Sequence, residues 1–149
     1  MALKDYRIPE EEIPLSGGAS FAVRGLSLPH ITHLVTKHGD AVKKLFNRAT
    51  LDGSDLSLED MERIGTTIIA SSPDLAAEII AVAAGEEDAL DTIKALPFPV
   101  QVVALEAIAR LTFDSAGGPK KFLETVIGIL RQAGVLMGEF RRSKSGSLR

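Results

Sequence analysis

The chain has 149 residues, enough for one domain, and contains no cysteine, which excludes disulfides, thiolate metal sites and thiol nucleophiles and favours a reducing cytoplasm. Hydrophobic residues make up 45% and aromatic residues only 5%, so the core must be aliphatic, and no apolar run approaches the roughly 20 residues that cross a bilayer. The net charge of −3 divides into +3 on residues 139–149 and −6 on the rest, and an acidic body argues against a protein that coats DNA.

Residues 1–18 are predicted to form an extended N-terminal arm that docks only loosely. They hold two prolines and three consecutive glutamates with no helical period. The charged start of this segment also argues against a signal peptide, so export is not expected. Regular structure is expected to begin after the arm. There Phe21 and Val23 alternate with small residues, which is typical of one short strand, and Gly25 should end that strand.

A helical domain is predicted over residues 19–138, because apolar side chains recur there at steps of three and four. Its first helix should follow Ser27 as the N-cap. The pair Gly39 and Asp40 could split that helix in two, since glycine suits a C-terminal cap and aspartate an N-cap, and the sequence leaves both forms open. The nearly all-apolar helix from Pro73 to Ala84 should lie at the centre of the domain or in an interface.

Prolines and glycines divide the second half of this domain. A short helix should end at the elbow from Pro97 to Pro99, where a longer helix begins. That longer helix combines an apolar stripe, which includes Val103, with an ion pair between Glu106 and Arg110 on its solvent side. A last helix should follow Pro119.

The fold class predicted from these elements is all-α. It is a compact bundle of about six helices, with one short N-terminal strand or extended arm in front of it. Residues 139–149 are basic and are predicted to form a flexible, disordered tail.

The three histidines invite a metal hypothesis, since His30 and His33 would share one face of a helix. Lys37 lies on that same face, and no carboxylate follows either histidine at a distance of three or four residues. His38 points to the apolar stripe instead. Surface histidines, with one partly buried, are therefore the better interpretation.

Two acidic runs, at residues 10–12 and 86–88, could supply paired carboxylates for acid–base catalysis. Adjacent carboxylates on a flexible segment lack the fixed geometry and distinct environments that such catalysis needs, so solvated charge is the better interpretation. The sequence contains neither a serine-nucleophile elbow nor a phosphate-binding loop. It therefore predicts no enzyme activity, no cofactor and no metal.

The run FAVRGLSLPHITHLVTKHGDAVKKLF, from Phe21 to Phe46, is the most distinctive part of the chain. It combines the core sequence VRGLS with an amphipathic helix that ends near His38 and Gly39. This run resembles the N-terminal signature of the tail assembly chaperones of long-tailed bacteriophages, also called pre-tape-measure chaperones.

The resemblance implies a non-catalytic helical protein that binds the tape measure protein before tail tube subunits polymerise around it. Such a protein acts in the host cytoplasm and is absent from the mature virion. The tail tube protein and a longer, frameshifted form of the chain are further partners that the resemblance implies, and a homo-oligomer is compatible with it. Neither a membrane nor a nucleic acid is an expected partner.

Two surfaces are predicted to contact a partner. Under the resemblance, one is either the acidic body of the protein or the strand and its exit, from Val23 to Leu26. The other is a pair of lysines in the first turn of the last helix, where cations oppose the helix dipole. These lysines either meet an acidic partner or are plain surface lysines, and the sequence leaves both open. The predicted contact residues are Phe21, Val23, Arg24, Gly25, Leu26, Lys120 and Lys121.

Three other functions are weighed against this hypothesis. A small regulatory or nucleic-acid-associated module would use the basic tail as its contact. A structural subunit of the virion tail would remain in purified particles. An enzyme ranks last, because no nucleophile, base or set of metal ligands converges in any motif.

Overall fold

A computed structural model describes residues 2–52 and 58–132, with the side chains of 45–52, 58–62, 64, 119, 120 and 123 excepted. Within these ranges the chain forms six helices and a two-stranded sheet, so the predicted all-α bundle is confirmed. The predicted tail, at residues 139–149, lies outside the described residues. The strands are β1 (Glu10–Pro14) and β2 (Ser20–Arg24), and the helices are α1 (Leu28–Asp52), α2 (Leu58–Ser71), α3 (Pro73–Ala84), α4 (Leu90–Lys94), α5 (Phe98–Ala116) and α6 (Pro119–Gln132).

The predicted N-terminal arm contains a strand that the sequence analysis missed. Strands β1 and β2 pair in antiparallel register, with Ile13 opposite Phe21 and Glu11 opposite Val23. Side chains alternate between the two faces of a strand, so these four residues share the inner face, and both Ile13 and Val23 are fully buried. The prediction that residues 1–18 dock only loosely is therefore wrong for β1.

Helix α3 lies at the centre of the main core, as its apolar sequence predicted. Its side chains Leu75 and Ile80 are almost completely buried, and four of its alanines are buried with them. Small side chains let neighbouring elements approach closely, and α3 contacts β2 and helices α1, α2, α4 and α5. A second, smaller cluster joins α1 to α6 through Val35 and Leu130.

Helix α1 begins where the sequence predicts. The Ser27 hydroxyl accepts the backbone N–H of His30 at 3.4 Å, and the backbone N–H of Ser27 donates to Nδ1 of His30 at 3.2 Å. This is a reciprocal cap in which histidine takes the place that glutamate usually fills. At His38 the backbone leaves helical geometry (φ −127°, ψ 37°), so α1 consists of two helical segments joined at a kink. The kink lies directly before Gly39 and Asp40, where the sequence allowed a split.

Helix α5 begins at the predicted proline elbow, and Glu106 and Arg110 form the predicted ion pair at 3.9 Å. The predicted stripe was wrong at Val103, which is 46% exposed. The buried face of α5 is centred on Ala104 and Ile108, and Thr112 completes it. Val103 directly precedes Ala104, and adjacent helical residues differ by about 100° in direction, which turns Val103 towards solvent.

Gly25 brings the end of β2 against the backbone of α5. A Cβ atom placed on Gly25 would lie 3.0 Å from the carbonyl group of Leu111 and from the amide nitrogen of Thr112. The next residue fixes the contact, because the backbone N–H of Leu26 donates to the Thr112 hydroxyl at 2.8 Å. Any side chain at position 25 would push the hairpin away from α5.

We expect Gly25→Ala to lower the free energy of unfolding by about 1–3 kcal/mol, because the new methyl group overlaps helical backbone that cannot move cheaply. Urea denaturation followed by circular dichroism measures the change. Gly128→Ala is the matched control, since position 128 lies in α6 with open space around it. That control should be neutral or stabilising by up to about 1 kcal/mol. Equal stability of the Gly25→Ala variant and the wild type would contradict the proposed close approach.

Candidate partner-binding site

An open groove of about 650 Å³ lies where the β-hairpin, the end of α3 and the end of α5 meet. Most of the side chains that line it are apolar, and several of these are alanines. The lining residues are Ile8, Pro9, Glu10, Ala22, Arg24, Gly25, Leu26, Ser27, His30, Val82, Ala83, Ala84, Gly85, Leu111 and Ser115.

The end of α3 supplies part of the groove wall. Gly85 caps this helix in the left-handed conformation (φ 69°), which a residue with a side chain rarely adopts. The N–H of Gly85 donates to Val82, and the N–H of Glu86 donates to Ala81. Gly85 also lines the groove, so the negative end of the α3 dipole lies at the groove wall.

The rim of the groove carries one ion pair between the two strands. Nε of Arg24 lies 3.3 Å from Oε2 of Glu10, and the register places the two residues directly opposite each other. Both side chains are about half exposed. Such a pair adds little to stability but sets the charge that a partner meets at this edge.

Several exposed apolar side chains lie in chain segments next to residues that line the groove. Leu3, Tyr6, Ile8 and Leu28 are each more than half exposed. Ile8 itself lines the groove, and Leu28 lies in the chain between two lining residues, Ser27 and His30. Apolar side chains grouped in this way mark protein–protein contact sites more often than scattered ones do.

The structure places some of the predicted contact residues at the groove and others on the inner face of the hairpin. Arg24, Gly25 and Leu26 line the groove. Val23 and Phe21 lie on the inner face of the hairpin, where Val23 is fully buried and Phe21 packs against the core. Val23 therefore offers a partner no surface, which corrects its place among the contact residues.

The predicted lysine pair lies at the start of α6 and does not line the groove. Lys121 is exposed, and its aliphatic chain is the nearest group to Gly117. The side chain of Lys120 lies outside the described residues. Their proposed contact with an acidic partner stays a prediction.

A buried carboxylate links α1 to α3 on another side of the molecule. Glu78 is buried, and its Oε1 accepts a hydrogen bond from Nζ of Lys37. Nε2 of His33 lies 3.7 Å from Oε2, and Nε2 of His38 lies 3.7 Å from Oε1. The helical period of the sequence places Lys37 and His33 on one face of α1, but no local pattern connects them to Glu78, which is 41 residues away from Lys37.

Opposing effects act on the pKa of the Glu78 carboxyl group. Burial raises it, but the hydrogen bond and the positive charge of Lys37, with further contributions from His33 and His38, outweigh burial and lower the pKa below its usual value of 4.5. Glu78 is therefore ionised at neutral pH. Because the folded-state pKa is lowered, the stability that the ionised group contributes is present above about pH 4.5 and is lost as the pH falls through the folded-state pKa.

Within the described ranges, no group of three or more histidine, aspartate, glutamate or cysteine side chains could hold a metal ion. None of the described helices is both long enough and apolar enough to cross a membrane.

Lys37→Met should lower the free energy of unfolding by about 1–3 kcal/mol near neutral pH, because it leaves the buried Glu78 carboxylate without its main partner. The difference from the wild type should shrink as the pH falls below about 4.5, where protonated Glu78 no longer needs a cation. Urea denaturation at several pH values measures both effects.

Lys94→Met is the matched control, since Lys94 pairs with the exposed Asp74 on the same helix α3 at 3.1 Å. We expect a change of at most about 0.5 kcal/mol for this surface pair. Equal effects of the two substitutions at neutral pH would show that the pair of Lys37 with buried Glu78 contributes no more to the free energy of unfolding than an exposed ion pair does.

Comparison with protein families supports the resemblance seen in the sequence. A family model described as pre-tape measure protein matches residues 1–147. No curated protein and no solved structure matches the chain. The match extends from β1 to beyond the end of α6, so it includes every element that lines the groove. The chain therefore belongs to the pre-tape measure protein family, a phage family of the tail assembly chaperone type, with a role in tail assembly related to the tape measure protein.

Proposed function

We propose that this protein is a tail assembly chaperone that binds apolar segments of the tape measure protein and keeps it soluble until the tail tube polymerises. The observation that carries the proposal is the groove between the hairpin and the ends of α3 and α5, in a chain that belongs to the pre-tape measure family. The protein acts in the host cytoplasm, is not an enzyme and is left out of the mature virion.

The chemistry of the groove supports reversible binding. Its apolar lining comes largely from small aliphatic side chains such as Ala22, Val82 and Ala83. Tryptophan, tyrosine and arginine are the side chains that most often make interfaces tight, and of these only Arg24 is among the lining residues. An apolar helix or extended segment of a long chain can lie in such a groove. Modest affinity suits a chaperone, because tail tube subunits must later displace it.

Position 24 links the sequence prediction to the groove. Arg24 is exposed on the rim, and its backbone leads directly into Gly25 and Leu26, which also line the groove. A change at Arg24 alters what a partner meets without removing a core side chain. Binding by the tail tube protein or by a longer form of the chain stays a prediction.

Arg24→Glu should reduce co-purification of the tape measure protein about five- to tenfold, on the order of 1 kcal/mol, because it places two like charges at the rim. The measurement is co-expression of the two proteins, followed by affinity capture and by determination of the soluble fraction of the tape measure protein.

Two matched variants separate binding from folding. Glu10→Arg combined with Arg24→Glu restores the ion pair between the strands with its direction reversed, so it reports whether Arg24→Glu acts only by disturbing the hairpin. Val103→Asp changes an exposed apolar side chain that does not line the groove and should leave co-purification unchanged. Undiminished binding by Arg24→Glu, or an equal loss with Val103→Asp, would count against the groove as the binding site.

A further inference from the structure

The segment of residues 2–8 has its own apolar side chains uncovered. Leu3 is 91% exposed, and Tyr6 and Ile8 are 55% and 52% exposed. Residues beyond the short 3-10 turn Leu3–Asp5 run in extended form towards β1. Burial of these three exposed side chains against an apolar surface would be favourable in free energy.

The groove is not filled by this segment of the same chain. Ile8 contributes to one wall, but neither Leu3 nor Tyr6 lines the groove. A second molecule approaching this face meets both an open apolar groove and an uncovered apolar segment beside it.

The segment and the edge of the groove carry charges of opposite sign. The acidic residues Glu86, Glu87 and Asp88 are exposed and directly follow Gly85, which lines the groove at the end of α3. The 2–8 segment carries Lys4 and Arg7 against a single Asp5. Cations are favoured at the C-terminal end of a helix, so the basic, apolar segment matches the groove in both charge and polarity.

We infer that the groove of one copy receives the 2–8 segment of a second copy, and that the exchange is reciprocal in a two-fold symmetric dimer. The segment starts at the groove edge of its own molecule, so two grooves placed face to face bring each segment to the opposite groove. Such a contact is isologous, and it closes at two copies. Seven residues span roughly 20 Å when extended, which is long enough to cross a groove of this size.

The dimer is a weak one. Each copy contributes only one short segment and one shallow apolar groove, which places the contact at the small end of specific interfaces and its dissociation constant on the order of 10–100 µM. The dimer concerns the purified chain alone and is tested without the tape measure protein. Under the proposed function, it shields the groove until that partner arrives.

Sedimentation velocity of the full chain over a range of concentrations is the first test. The wild type should shift from monomer towards dimer as its concentration rises through the dissociation constant. Leu3→Asp combined with Tyr6→Asp should remain monomeric at every concentration. Phe98→Asp is the matched control, because Phe98 is as exposed as Tyr6 but lies on α5 away from the groove, and it should dimerise like the wild type.

Disulfide trapping is the second test. Because the chain has no native cysteine, only the introduced cysteines can form a disulfide. Asp5→Cys and Ala84→Cys variants, mixed and treated with a mild oxidant, should form a mixed disulfide between the segment of one chain and the groove of the other. Asp5→Cys mixed with Val103→Cys is the control and should give at most a small fraction of that yield.

A monomeric wild type, or a double aspartate variant that still dimerises, would overturn the inference. A mixed disulfide no more abundant than the control would overturn it as well. In a single chain carrying both Asp5→Cys and Ala84→Cys, a disulfide formed mainly within the chain would show that the groove takes its own segment and would rule out the second copy. Failure of these tests leaves tape measure binding untouched, because that binding is measured separately by co-expression.

Discussion

The close approach of Gly25 to the backbone of α5 determines how the rest of the groove is built. It lets the hairpin lie against α5, and the hydrogen bond from Leu26 to Thr112 then fixes the direction in which the chain enters α1. The inner face of the hairpin closes over α3 and α5 with Ile13 and Val23, while its outer face stays open. The groove is bounded by residues of the hairpin and by the ends of the two helices, so a shift at Gly25, which itself lines the groove, would change its shape.

The region around Glu78 obeys a different constraint from the groove. Helix α3 is otherwise apolar on its buried faces, and one carboxylate inside it is costly unless a cation meets it. Helix α1 supplies Lys37 from its exposed side, and the bend at His38 lies next to that contact. The carboxylate therefore sets where α1 meets α3, because its pairing with Lys37 outweighs the cost of burial.

The features predicted correctly from the sequence are those that local chemistry specifies. The cap at Ser27, the central position of Pro73–Ala84 and the elbow before α5 depend on residues a few positions apart. Strand β1 was missed because glutamate and proline are poor strand formers, and pairing with β2 and burial of Ile13 override that preference. The groove and the contact of Glu78 could not be predicted, because residues far apart in the sequence meet there and no period or motif connects them.

Under the proposed function, the protein has to recognise a kind of surface on the tape measure protein, since a single sequence would serve only one site on that partner. Alanine and valine in an open groove accept many apolar side chains, and no phenylalanine, tyrosine or tryptophan is among the described lining residues to make a contact tight. Several weak contacts along one chain can hold it firmly in total, yet each site can be released alone as the tail tube advances. The small aliphatic lining thus fits a role in which binding must be general and must also be reversible in steps.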